Sequence, residues 1–349
     1  MSQDTLQSWI DRYLDSAIVG VRSADVARKI ALELCRFRDF FLDQYGHERL
    51  ALVLRRDVAA WLDQLEAEGF APATINHHLA ALSGFMTWIV SYDPAALPHG
   101  SPTKGVSARP LPPLEPRALS DKQVQSLKNL CDRLPTFYQR KGRRWSGRPD
   151  ARPLRANARP FRDRAIIFVL LSTGIRREEL VSLNLEQLQP NTPDALRRVR
   201  RAALTSIAGK NKSRRDVFLS SDARLALADY LERERPIDTR STESPAAPLF
   251  LSAATNPTRS DSGRLSTRII NTILDQIGRW HDAEHDDPAR HISPLRPHDL
   301  RHTFAFRLAR ATGADPYELE RRLGHQSQRY IQRYTNPPVE VAATYVEDF

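Results

Sequence analysis

Pro297-His298-Asp299-Leu300-Arg301-His302-Thr303-Phe304 is the segment from which the rest of this chain is best read. Proline is tolerated in a first helical turn, where its missing N–H would have no partner anyway, so a helix is expected from His298 to Ala311. His298 and Arg301 stand three apart on one face of it, while Leu300, Phe304 and Leu308 can face a core. An imidazole beside a guanidinium at a helix start suits an oxyanion. The guanidinium offers a bidentate fork, and the helix N-terminus favours negative charge. A solitary His-x-x-Arg also occurs on ordinary solvated helices.

Three further segments flank this one. In Ser172-Thr173-Gly174-Ile175-Arg176-Arg177-Glu178-Glu179-Leu180, Gly174 permits a tight turn that sets Arg176 at a new helix start, and Glu179 can reach back to orient it. The bland alternative is a surface helix with an ion pair. Gly209-Lys210-Asn211-Lys212-Ser213-Arg214 reads as a basic turn between strands, expected at Val199 to Ile207 and Asp216 to Leu219. By itself such a turn is usually solvated. Leu323-Gly324-His325 closes one helix and opens another, and Tyr334 follows His325 by nine residues, about 13 Å of helical rise. Tyr330 lies one turn earlier, so one of the two tyrosines could serve only for packing.

Around these segments the chain reads as mainly α. Trp9 to Leu14, Ile30 to Phe41, Val58 to Leu65 and a segment after Pro72, with Thr74 as its N-cap, carry helical spacing and outline a domain of four or five helices over residues 1–107. Seven prolines between Pro94 and Pro116, with Gly100 and Gly105, mark an extended boundary, with the linker at 108–118. Residues 119–349 form an α+β domain: Ser120 caps a helix to about Leu134, Phe161 to Ser172 is an apolar helix, and one small antiparallel sheet sits among further helices. From Gln139 to Arg162 nine Arg or Lys accompany one acid, Asp150, so this basic insertion is expected to be a loop or mobile arm touching phosphate.

Hydrophobic residues make up 41% and charged residues 27% of the 349, an ordinary globular mixture. Net charge is +10, and it is uneven. Residues 1–117 carry 12 Lys+Arg against 14 Asp+Glu, and the remainder 40 against 28, so a polyanion would meet the C-terminal two thirds. Two cysteines, Cys35 and Cys131, read as structural thiols in a reducing cytoplasm and supply no zinc site or disulfide framework. No apolar run nears the roughly 20 residues of a membrane span, and Met1-Ser2-Gln3-Asp4 does not begin a secretory leader. No Gly-rich P-loop appears that would cradle a nucleotide.

Taken in order, the four segments resemble the tyrosine recombinase (phage integrase) family, whose signature is an Arg in a T-G-[LI]-R turn, a hairpin Lys, His-x-x-Arg, a His in L-G-H and a Tyr nine residues on. Arg176, Lys210, His298, Arg301, His325 and Tyr334 occupy those positions, with Glu179 at the acidic position. The likeness covers Leu119 to Thr335 and extends more weakly to Ala73 to Leu82. It implies an N-terminal SAM-like core-binding domain and a catalytic domain that clamp double-stranded DNA at inverted-repeat core sites, with four protomers exchanging strands.

The implied chemistry needs no cofactor or metal. Tyr334 would attack the scissile phosphate to give a 3′-phosphotyrosyl bond and a free 5′-hydroxyl. Arg176 and Arg301 would stabilise the nonbridging oxygens, Lys210 (or Lys212, if the hairpin register differs) would protonate the leaving oxygen, His298 would assist the tyrosine's proton, and His325 would hydrogen-bond the phosphate. Because the N-terminal part is slightly acidic, its DNA contact must rest on a local face, for which Arg28, Lys29, Arg36, Asn76 and His77 are candidates. Lys212, Arg214, Arg143 and Arg144 are candidates in the second part. The tail 335–349, with Val341, Tyr345, Val346 and Phe349 at apolar spacing, is expected to dock on a neighbouring protomer or to cap its own domain. The arm-binding domain that some phage integrases carry is not expected before Trp9. Service to a mobile element is the first reading and an Xer-like resolvase the second. The rivals are a type IB topoisomerase, against which the compact clamp, the L-G-H motif and a tail able to exchange between protomers argue, and a catalytically inactive DNA-binding regulator, against which the filled set of site residues argues.

Overall fold

The computed structural model describes residues 4–111, 117–136, 157–209, 213–239 and 247–324. Lys210, Lys212, Arg143, Arg144, His325, Tyr334, the helix expected from Gln326 and the tail 335–349 lie outside them. The chain divides into two compact units, Met1–Leu114 and Glu115–Phe349.

The first unit is a bundle of α1 (Leu6–Tyr13), α2 (Ala24–Tyr45), α3 (Arg55–Ala67) and α4 (Pro72–Tyr92). Its core gathers the apolar stripes of all four, including Trp9, Phe37, Phe41, Trp61, Leu65, Ile75 and Phe85. α3 is started by Asp57, which accepts the Leu54 N–H at 2.8 Å and the Tyr45 hydroxyl at 2.6 Å. Thr74 is not a cap. Pro72 already provides a preset φ at the first position, so α4 begins three residues earlier than a Thr74 cap would set it, with Ala71 as its N-cap. Nor is the proline-rich stretch a free linker from its start: Leu97 is buried in the bundle core, and the Asn76 side chain bonds both the N–H and the C=O of Arg109.

In the second unit α5 (Asp121–Asp132) opens with a capping box, Ser120 accepting the Gln123 N–H and Gln123 returning to the Ser120 N–H. α6 (Pro160–Thr173) is buried on nearly all sides and forms the middle of the unit, so its sequence shows an apolar run rather than a stripe. After α7 (Arg177–Ser182) come β1 (Leu188–Gln189), α8 (Pro193–Arg198), β2 (Ala202–Ala208) and β3 (Arg214–Leu219), a three-stranded antiparallel sheet in the order β1-β2-β3. The sheet is wider than the expected hairpin, because Leu188 pairs with Leu204. β2 starts only at Ala202, the residue that pairs with Leu219 at the end of β3. The remainder is α9 (Ser221–Arg233), α10 (Arg235–Asp238), α11 (Thr267–Asp282), α12 (Pro297–Thr312) and α13 (Pro316–Leu323). α9 and α12 pack on α6.

The end of the basic insertion does not behave as a DNA arm. Arg159 grips Asp238 with two bonds of 2.6 Å, and Arg162 bonds Asp163 and the Leu251 carbonyl, all in the interior. Buried charges must be paired, and these arginines are spent on fastening α6 to α10 and to the chain after it.

Candidate active site

Gly174 ends α6 in the left-handed conformation, φ +59°. A Cβ there would also stand 2.3 Å from Phe304 Cδ1, so the turn is specific to glycine twice over: by backbone conformation and by the closeness of α12. The turn delivers Arg176 as the N-cap residue of α7. Glu179, in the first turn of α7, accepts the Arg176 N–H at 2.7 Å and its Nη1 at 3.0 Å. Asp299 plays the matching part on α12, accepting the Arg296 N–H at 2.9 Å. Two capped helix starts therefore present the two expected arginines.

Arg301 is 3% exposed and donates from Nη1 to the Gly174 carbonyl (2.5 Å) and from Nη2 to the Leu323 carbonyl (2.7 Å). Arg176, its side chain 22% exposed, reaches the Gly324 carbonyl at 3.3 Å. The glycine turn, α7, α12 and the end of α13 are thus tied into one cluster, with Arg176 the more open of the pair. A third arginine joins it. Arg215 of β3 forks onto Glu179 at 3.0 and 2.6 Å and donates to the Arg322 carbonyl at 3.0 Å. No motif in the sequence marks Arg215, yet the alternation leading back from Leu219 and Val217 puts it on the inward face of β3 and leaves Arg214, a candidate for DNA contact, exposed.

Burial by itself would raise the Glu179 carboxyl's pKa, but hydrogen bonds from Arg215 and the Arg176 N–H, with both charges, outweigh it and hold the group below the usual carboxylate range. His298, an exposed residue, sits in the first turn of α12. Partial desolvation, then the charges of Arg301 and Arg176, press its pKa below that of a free imidazole, against an opposing pull from Glu178. That direction favours the neutral imidazole, the form that can accept a proton.

Of the expected residues, the structure brings together Arg176, Glu179 and Arg301, with His298 under the field of both arginines. The candidate DNA contacts of the first unit are scattered in role. Arg28 pairs with Asp25, Lys29 and His77 are exposed, and Arg36 lies over the Phe70 ring at 4.7 Å. Asn76 is spent on the backbone of Arg109, which argues for a structural task. Cys131 is fully buried in the core, with its thiol pKa pushed up by burial. Among the described residues no group of three or more His, Cys, Asp or Glu could hold a metal ion, and no helix is long and apolar enough to cross a membrane.

Residues 151–340, more than half of the chain, match the phage integrase family. Tyrosine recombinase XerC of Roseiflexus sp. (strain RS-1) is 28% identical over 285 residues, covering 80% of this chain and 73% of that protein. Tyrosine recombinase XerC of Bifidobacterium longum subsp. infantis is 26% identical over 317 residues, covering 81% of each. Among solved structures, the Tn1549 transposon integrase in complex with transposon right end DNA superposes with a TM-score of 0.68 at 16% identity over 99% of both chains. XerH bound to palindromic difH substrate does so with a TM-score of 0.65 at 17% identity, covering 98% of this chain and 84% of that one. At such identities the structural likeness speaks for the fold, and the family match for descent. With its glycine turn, paired arginines and short sheet in the family's order, the chain belongs to the phage integrase family, the tyrosine-type site-specific DNA recombinases.

Proposed function

We propose that this recombinase cleaves and rejoins double-stranded DNA through Tyr334. The observation that carries the reading is the convergence of Arg176 and Arg301 on the end of α13, the element from which the chain runs directly to His325 and, nine residues on, to Tyr334. In this reading the Tyr334 hydroxyl oxygen attacks the scissile phosphorus and the bond to the 5′ oxygen breaks. Arg176 and Arg301 hold the nonbridging oxygens as charge builds on them, which is where preorganised donors gain most. Neutral His298 takes the phenol's proton and Lys210 gives one to the leaving 5′ oxygen, since a phenol with pKa near 10 is a poor nucleophile unaided. His325 hydrogen-bonds the phosphate. Attack by a 5′-hydroxyl reverses the step, and the ester energy stays in the phosphotyrosyl bond. The substrate would be a duplex with inverted-repeat core sites bound by four protomers. Service to a mobile element is the first assignment; an Xer-like resolvase of chromosome or plasmid multimers is the second, and the likeness to XerC tyrosine recombinases supports it.

The test is to trap the full-length protein on a nicked duplex obtained by in vitro selection, digest it, and map the DNA-linked peptide. A 3′ link to Tyr334 is expected; a link to Tyr330, or to the 5′ side, would overturn the assignment. A pH prediction follows from His298. Protonation on acidification removes the base, and the lowered pKa moves that loss below the ordinary imidazole value of about 6.5. The rate of adduct formation should hold down to pH about 6.5 and fall beneath it, and His298→Gln should remove that limb. An unchanged limb in the variant would contradict the role.

A further inference from the structure

The last turn of α13 offers three successive carbonyls, and each meets a different guanidinium. Arg215 takes that of Arg322 (3.0 Å), Arg301 that of Leu323 (2.7 Å) and Arg176 that of Gly324 (3.3 Å). A helix C-terminus carries unsatisfied carbonyls and partial negative charge, so cations dock there naturally. Two of the three arginines belong to the expected site. The third, Arg215, has a side chain only 9% exposed, and its other hand is the two-bonded grip on Glu179, whose remaining bonds go to Arg176. The approach is close on the helix side too: a Cβ added at Gly324 would lie 2.9 Å from Arg215 Nη1.

We infer that Arg215 is a positioning residue for the covalent step, acting through Glu179 on Arg176 and through the end of α13 on the turn that leads into His325. The inference rests on the recombinase reading above. The physical reason is competition for one carboxylate. With Arg215 forked onto both oxygens, Glu179 is held in place and gives Arg176 a single side-chain bond, to Nη1. Without Arg215 both carboxylate oxygens can close on Arg176, which neutralises its charge and draws it from a bound phosphate. The end of α13 loses one of its three anchors in the same step.

The experiment uses the full chain and the selected nicked duplex, in two forms: the natural phosphodiester, and the same duplex with a methylphosphonate at the scissile position, which lacks one nonbridging charge. Arg215→Ala should slow adduct formation on the phosphodiester by about 10²-fold, the scale of losing one preorganised donor. On the methylphosphonate, where less charge needs holding, it should cost several-fold at most, with the Kd for DNA within about threefold of wild type throughout. Arg215→Lys keeps the charge but not the fork, and serves if the alanine variant does not fold; about a tenfold loss on the phosphodiester is expected. Equal losses on the two duplexes would reduce Arg215 to general support of the fold, and a rate within twofold of wild type would remove any role; either result overturns the inference. Absence of adduct with the wild-type chain would instead sink the recombinase reading on which it stands.

Discussion

Arg301→Ala is expected to slow adduct formation by about 10³-fold or more and to weaken the fold at the same time. The kinetic part is the loss of a fixed cation from a site where charge develops, for which removal of a donor or an arginine costs about 10²- to 10⁵-fold. The stability part comes from what Arg301 touches. Its two nitrogens satisfy the carbonyls of Gly174 and Leu323 inside the protein, and alanine leaves both without that donor. Each buried, unsatisfied acceptor costs about 1–3 kcal/mol, so a loss of about 2–6 kcal/mol in unfolding free energy is expected. Arg301→Lys separates the two parts. It restores the charge but can reach one carbonyl at best, so it should recover more stability than rate. Urea unfolding together with single-turnover trapping measures both. An alanine variant as stable as wild type would show that the carbonyl contacts carry little weight, and one that cleaves within tenfold of wild type would remove Arg301 from the phosphate.

The double duty of Arg301 explains why the site was only partly legible in the sequence. Spacing sufficed for local facts: the proline that starts α12, the Ser120–Gln123 box, the glycine at the end of α6 and the reach from Arg176 to Glu179 each depend on residues within one turn. What spacing cannot express is which distant element a side chain meets. Arg215 lies 36 positions from Glu179 and 107 from the carbonyl of Arg322, and nothing nearby marks it out from Arg214 except the alternation of the strand. The same limit applies to Arg159 and Arg162. Within a run of nine basic residues they looked like part of a solvated arm, but Asp238, Asp163 and the Leu251 carbonyl claim them in the interior. Thr74 failed for a local reason, because Pro72 outranks it as a helix start. The turn at Gly174 is legible from its neighbours, while its second constraint, the Phe304 ring, comes from a residue 130 positions away.

Glu179→Ala is the second large effect, and its sign with pH can be worked out. The carboxylate is 5% exposed and is the shared partner of Arg215 and Arg176. Truncating it leaves two guanidiniums close together without their counter-charge, the case in which breaking a buried pair costs about 3–5 kcal/mol. For a domain whose whole stability is about 5–15 kcal/mol, the variant should fold but unfold at much lower urea, and adduct formation should fall with it as Arg176 loses its orientation. Because the folded state holds the Glu179 pKa below its unfolded value, the carboxylate's charge adds stability that is present above the unfolded pKa of about 4.3 and is lost as pH falls through the folded one. Glu179→Gln keeps the shape and removes the charge. The gap in unfolding free energy between wild type and Glu179→Gln should therefore stay constant from pH 7 to about 5 and shrink only below the ordinary carboxylate range. A gap already closing between pH 7 and 6 would mean that Glu179 is not the low-pKa partner of two arginines, and an alanine variant within about 1 kcal/mol of wild type would mean that the cluster does not depend on it.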